Sequence, residues 1–113
     1  MTIQEIAKVL PLKVISGQSN LEKEVNGGYV SDLLSNVMGQ AHVGNLWVTM
    51  QGHQNIVAVA LLAGLTGIII AGGVEPDPEA VRKAASEEIV LLTTNLSAYE
   101  VVGRLYQLGI TGE

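Results

Sequence analysis

The chain contains no cysteine, which excludes disulfides, thiolate chemistry and cysteine–zinc sites. Charge is also scarce: Asp, Glu, Lys and Arg make up 15% of the residues, and none occurs from Leu33 to Val74. The six basic residues, Lys8, Lys13, Lys23, Arg82, Lys83 and Arg104, are scattered and form no patch. With a net charge of −5, such a surface repels phosphate backbones, so nucleic acid is not an expected partner. The N-terminus MTIQEIAKVLPLKV lacks a positive segment followed by an apolar one. No secretory signal is therefore read, and the cytoplasm is the expected compartment. Neither a Walker A loop nor a GxSxG elbow occurs, which removes two frequent routes to phosphoryl and acyl transfer.

What remains is rich in glycine and small aliphatic residues, a mix that suits helices packed closely on a buried parallel sheet. A length of 113 residues fits a single domain, residues 1–113, with one core. The organising stretch is Leu46–Val74, LWVTMQGHQNIVAVALLAGLTGIIIAGGV. It reads as strand, polar loop, apolar helix, turn, strand and glycine pair. Part of it, Ile56–Val74, approaches the ~20 uncharged residues of a membrane span. Gly64, Thr66 and Gly67 interrupt that run, Ile68-Ile69-Ile70 is β-branched, and no Lys or Arg flanks it. A helix, a turn and a buried strand account for it better, and no membrane partner is expected.

Around this stretch the chain is read in order. Thr2 and Glu5 form a capping box for a helix that Pro11 stops. Leu12–Ile15 is a short strand. Asn26-Gly27-Gly28 is a turn that could close a hairpin between Leu21–Val25 and Tyr29–Val30. Leu33, Leu34, Val37 and Met38 mark one helix face, with Ser31 or Asp32 as its cap. Leu46–Met50 is a strand, Asn55 caps a helix over Ile56–Leu65, and Gly67–Ala71 is the next strand. Asp77 and Pro78 start a helix reaching Glu87, Ile89–Leu92 is a third strand, and Ser97 starts a helix through Leu108 with Gly109 as its C-cap. From Leu46 onward this is β-α-β-α-β-α with short loops, which implies parallel strands and right-handed crossovers.

The run GNLWVTMQGHQNIVAVALLAGLTGIIIAGGVEPDPEAVRKA, Gly44–Ala84, resembles the DRTGG domain. That domain accompanies bacterial phosphotransacetylases and some CBS-domain pyrophosphatases, also stands alone, and is similar to the N-terminal domain of HPr kinase/phosphorylase. The shared features are a Gly-polar-strand opening, a polar loop, an Ala-rich helix, a hydrophobic strand ending in Gly-Gly and a Pro-Asp-Pro helix start. The resemblance extends more loosely to Val30–Leu34 and to the last strand and helix. It implies an α/β fold: a three-layer domain, HPr kinase/Mur ligase N-terminal-domain-like, with a mainly parallel sheet flanked by helices. It further implies a regulatory or ligand-sensing module, often dimeric, without chemistry of its own. Two departures stand out: Ala71-Gly72-Gly73 replaces Thr-Gly-Gly, and Gly52-His53-Gln54-Asn55 replaces the Asp-Arg pair.

Ligands of open parallel sheets sit beyond the carboxyl ends of the strands. The candidate ligand residues are therefore Gln51, His53, Gln54 and Asn55, the pair Gly72 and Gly73, and Thr93, Thr94 and Asn95. Backbone N–H groups at the helix starts there could receive a nucleotide or another phosphorylated metabolite; turn and capping chemistry alone also explains these residue types. His53 and His42 match no metal spacing and have no carboxylate nearby in sequence. No catalytic residue, metal or cofactor is assigned, and a small enzyme using His53 is the lesser alternative. The helix after Asn55 is apolar on every face, so it should be buried all round. Its outer face, with Met38, Leu46, Trp47, Val59 and Leu62, is the expected interface of a homodimer. A regulatory protein partner, bound with no small ligand, is the alternative to ligand sensing.

Overall fold

The computed structural model describes residues 1–112. Helix α1 (Ile3–Val9) begins at Thr2, whose side chain accepts from Glu5 N while the Glu5 carboxylate accepts from Thr2 N. Those bonds, the backbone one foremost, hold the Glu5 carboxyl below the ordinary carboxylate range. A lowered folded pKa means the cap's stabilisation is complete above the ordinary range and lost as pH falls through the lowered value. Protection of the α1 amides, taken relative to the unstructured exchange rate at each pH, is expected to fall over that acidic window, and Glu5→Gln to abolish the pH dependence.

The elements that follow are β1 (Lys13–Ser16), β2 (Gly27–Val30), α2 (Leu34–Gln40), β3 (Asn45–Thr49) and α3 (Asn55–Ala63). After them come β4 (Gly67–Ile70), α4 (Pro78–Ser86), β5 (Leu91–Thr93) and α5 (Ala98–Gln107). The strands form one five-stranded sheet in the order β1-β5-β4-β3-β2. Strands β2 to β5 are parallel neighbours, and β1 joins β5 antiparallel. The parallel strands step in one direction across the sheet, so right-handed crossovers put α2, α3 and α4 on the same face. Helices α1 and α5 cover the other face. The result is a three-layer α/β sandwich with a mostly parallel sheet.

Period-two alternation divides the strands between two cores. Leu46, Val48, Ile69 and Leu92 face Ile3 and Ile6 of α1 and Val101 and Leu105 of α5. Trp47, Ile68, Ile70 and Leu91 face Val37 of α2, Ile56, Val57 and Ala60 of α3 and Ala84 of α4. The 56–74 run is the body of α3, a left-handed turn at Gly64 (φ 67°), and β4.

Three sequence expectations change. No hairpin forms at Asn26-Gly27-Gly28: Gly27 and Gly28 lie inside β2 and pair with Asn45 and Leu46 of β3. Helix α3 is not buried all round. It lies between α2 and α4 above the sheet, which covers Ile56, Val57, Val59 and Ala60 but leaves Leu61 and Leu62 exposed. Leu46 and Trp47 cannot serve a subunit contact, because both are completely enclosed by their own chain (0% exposed). Val59 is nearly as enclosed, whereas Met38 and Leu62 do reach the surface.

Candidate functional site

Adjacent parallel strands whose following helices leave to opposite faces open a crevice between their C-terminal ends. In this sheet the condition is met between β4 and β5. Strand β4 leads to α4 on one face, and β5 leads to α5 on the other. A cleft of 220 Å³ lies there, lined by Gly73, Val74 and Glu75 from the β4–α4 loop and by Thr93, Thr94 and Asn95 from the end of β5. Pro11 and Lys13 close its third side. Lys13 arrives through the antiparallel pairing of β1, which sets it opposite Thr93.

The glycine pair shapes this cleft. Gly72 and Gly73 both adopt left-handed backbone (φ 74° and 72°), a conformation that glycine enters at no steric cost. The loop thereby folds back on its neighbour, Gly72 N donating to Leu96 O (2.7 Å) and Gly73 N to Thr94 O (3.0 Å). These N–H groups tie the two loops together, so side chains and not the glycine amides must meet any ligand. Thr94 Oγ1 accepts from Leu96 N, which fixes its rotamer. Lys13 is exposed and has no ion-pair partner among the described residues. The cleft thus presents an unpaired ammonium, two hydroxyls, an amide and the Glu75 carboxylate.

The remaining candidates gather at the neighbouring end of β3. His53, Gln54 and Asn55 are exposed where the β3–α3 loop enters α3, and His53 Nδ1 accepts from Asn55 N (3.1 Å). Gln54 is the N-cap, one residue earlier than the sequence implied, and makes no side-chain cap bond. Gln51 is held by Asp32 O, to which its Nε2 donates (3.2 Å). The β4–α4 loop separates this group from the cleft, with Asp77 N donating to Gly52 O (2.8 Å). The sequence-derived set therefore divides: Gly73, Thr93, Thr94 and Asn95 line one cleft, while Gln51, His53, Gln54 and Asn55 lie outside it. His42 and His53 sit beyond opposite ends of β3, roughly 16 Å of strand apart, so they cannot act together.

Two residues escaped the sequence reading. Asp32 does not cap α2, whose N-cap is Leu33. Its carboxylate instead accepts from Thr49 Oγ1 (2.8 Å) and Met50 N (2.7 Å), tying the ends of β2 and β3 together. Its position as the last charge before the uncharged span was the available signal. Lys13 gave none, because its place depends on a strand pairing that spans most of the chain.

The DRTGG domain model matches residues 5–108. The chain belongs to the DRTGG domain family. A solved structure with the same fold is the CBS and DRTGG regulatory region of Clostridium perfringens pyrophosphatase, complexed with its activator diadenosine tetraphosphate. The two superpose with a TM-score of 0.70 at 15% identity, over 98% of this chain and 48% of that one. This DRTGG domain therefore spans about half the length of that region. No match is found among curated proteins. Among the described residues no helix is long and apolar enough to cross a membrane.

Proposed function

We propose that this DRTGG domain is a non-catalytic regulatory module that binds a small phosphorylated ligand or nucleotide in the β4/β5 cleft. The observation that carries the reading is the unpaired Lys13 ammonium beside Thr93, Thr94 and Asn95 at the sheet's switch point. A cation next to hydroxyl and amide donors is matched to phosphate oxygens, and charge-assisted hydrogen bonds are the strong ones. The pyrophosphatase relative, whose regulatory region contains a DRTGG domain and was solved with a nucleotide activator, favours the same class of ligand. The cleft walls lead into α4 on one face and α5 on the other, so a ligand drawing them together would bias both helix layers.

A thermal-shift screen of nucleotides and phosphometabolites should raise the melting temperature for at least one compound, since a ligand of the native state stabilises it by mass action. For that compound, Lys13→Ala is expected to weaken binding by about ten-fold or more, the equivalent of one charged hydrogen bond. A flat screen would instead favour the pure protein-interaction role.

A second feature favours self-association as the mode of assembly. Leu33, Met38, Val43, Leu61 and Leu62 are exposed by 41% to 75%, all on α2, α3 or their adjoining loops. Together they offer several hundred Å² of apolar surface, the scale at which such a patch marks an interface. The span contains no charge, so two copies of this acidic chain can meet there without like-charge repulsion. Light scattering at micromolar concentration should give a dimer mass, and Leu62→Glu should give a folded monomer whose melting temperature no longer depends on protein concentration. A monomeric wild-type protein would end this part of the proposal.

A further inference from the structure

We propose that the cleft between β2 and α5 is a second ligand site, one that takes a planar purine-type base through the peptide group of Val30. This cleft measures 320 Å³ and shares no residue with the β4/β5 cleft. Its walls are Val30 and Val48 of the sheet, Val102, Leu105 and Tyr106 of α5, and the segment following Ile110. Such a volume falls at the lower end of the range for small-molecule sites, roughly 300–1,000 Å³.

The hydrogen-bonding element is set by the ladder. Strand β2 is outermost in the sheet, and Ser31 N donates inward to Val48 O (3.2 Å). Alternation along the strand turns the peptide groups of Gly28 and Val30 outward. Gly28 N is taken by Thr111 O (2.9 Å), so the C-terminal segment covers the edge at that point. The outward N–H and C=O of Val30 have no partner among the described residues. One donor and one acceptor are thus left side by side at the rim of an apolar cleft.

This combination selects among occupants. An added β-strand needs successive outward residues, and the covering at Gly28 leaves only Val30. A hydrocarbon chain would fill the apolar walls but strip water from the Val30 peptide without replacing its bonds, which is unfavourable. A flat ring with a ring-nitrogen acceptor next to an amino donor satisfies both groups. The ring would then lie beyond the β2 edge against Leu105 and Ile110, with the exposed ring of Tyr106 available for stacking. Aromatic side chains accept bases in this way because every base offers a π face.

The test uses adenosine as probe, with N1-methyladenosine, whose ring acceptor is blocked, as its counterpart. In ¹⁵N- and methyl-labelled protein, adenosine should shift the Val30 amide and the Leu105 and Ile110 methyl groups in a saturable titration. N1-methyladenosine should bind at least ten-fold more weakly, and Tyr106→Ala should weaken adenosine by a similar factor. Val30→Pro removes the donor but spares the bonds to β3, which run through Tyr29 and Ser31; proline is tolerated on edge strands. That variant should keep the wild-type melting temperature and lose adenosine binding. Adenosine at millimolar concentration leaving these signals unmoved would overturn the proposal. So would Val30→Pro, folded, binding as wild type, or adenosine shifts confined to Lys13 and Thr93–Asn95.

Discussion

Gly17→Ala is expected to destabilise the fold by about 3 kcal/mol or more, a large part of the ~5–15 kcal/mol of a typical domain. Gly17 follows β1 with left-handed backbone (φ 79°, ψ 26°) and opens the 3₁₀ turn Gln18–Asn20. Left-handed backbone costs a residue with a Cβ about 1–2 kcal/mol. The methyl group would also lie 2.6 Å from Ile89 O and from Val90 N and Cα. All three are backbone atoms leading into β5, so no side-chain rotation relieves the clash; forced overpacking adds about 1–3 kcal/mol. The Ser16 Oγ bond to Ile89 O (2.8 Å) ties the same two segments together and would be strained with them. Because β1 carries Lys13 to the β4/β5 cleft, ligand affinity should fall along with stability. Gly39→Ala and Gly103→Ala are the controls: both are helical and neither added Cβ meets an atom within 4 Å. They should be neutral or stabilising by up to ~1 kcal/mol. A urea midpoint for Gly17→Ala equal to those of the controls would contradict this account of the β1–β5 contact.

Trp47→Ala should cost about 3–5 kcal/mol, the usual range for emptying a large buried aromatic site. Trp47 is central in the sheet, between Tyr29 of β2 and Ile68 of β4, and has no exposed surface. Its ring fills the core beneath α2 and α3, while Nε1 donates to Ser31 O (2.9 Å). Trp47→Phe keeps much of the volume but loses that bond, and should cost less than the alanine variant. Circular dichroism across a urea titration separates the two. A loss under about 1 kcal/mol for alanine would mean the site is not filled as described.

The part of the chain from Leu46 onward was legible because its signals are local. Each strand is a compact apolar run, each loop carries its own glycine or cap, and Ser97 caps α5 by accepting from Glu100 N (3.2 Å) as its residue type suggests. Errors arose where a distant partner decides. Gly27-Gly28 has the composition of a turn, yet a Cβ at Gly27 would lie 3.0 Å from Thr111 O. Its smallness serves the covering segment, a contact between opposite ends of the chain. The antiparallel pairing of β1 with β5 is equally non-local, and with it the placing of Lys13. Leu46 and Trp47 look like surface candidates only until α2 and α5 are known to cover both sheet faces. The glycine pair after β4 was located correctly as part of a strand-end loop. Its amides, however, are consumed by the next loop.

The central claim is that the β4/β5 switch-point cleft is where this DRTGG domain receives a phosphorylated ligand. Chemical-shift mapping on ¹⁵N-labelled protein with the best compound from the thermal-shift screen tests it most directly. The account predicts saturable shifts concentrated at Lys13, Gly73, Glu75 and Thr93–Asn95, and their loss in Lys13→Ala. Shifts centred on His53–Asn55, or saturable binding that leaves the cleft residues unmoved, would contradict it.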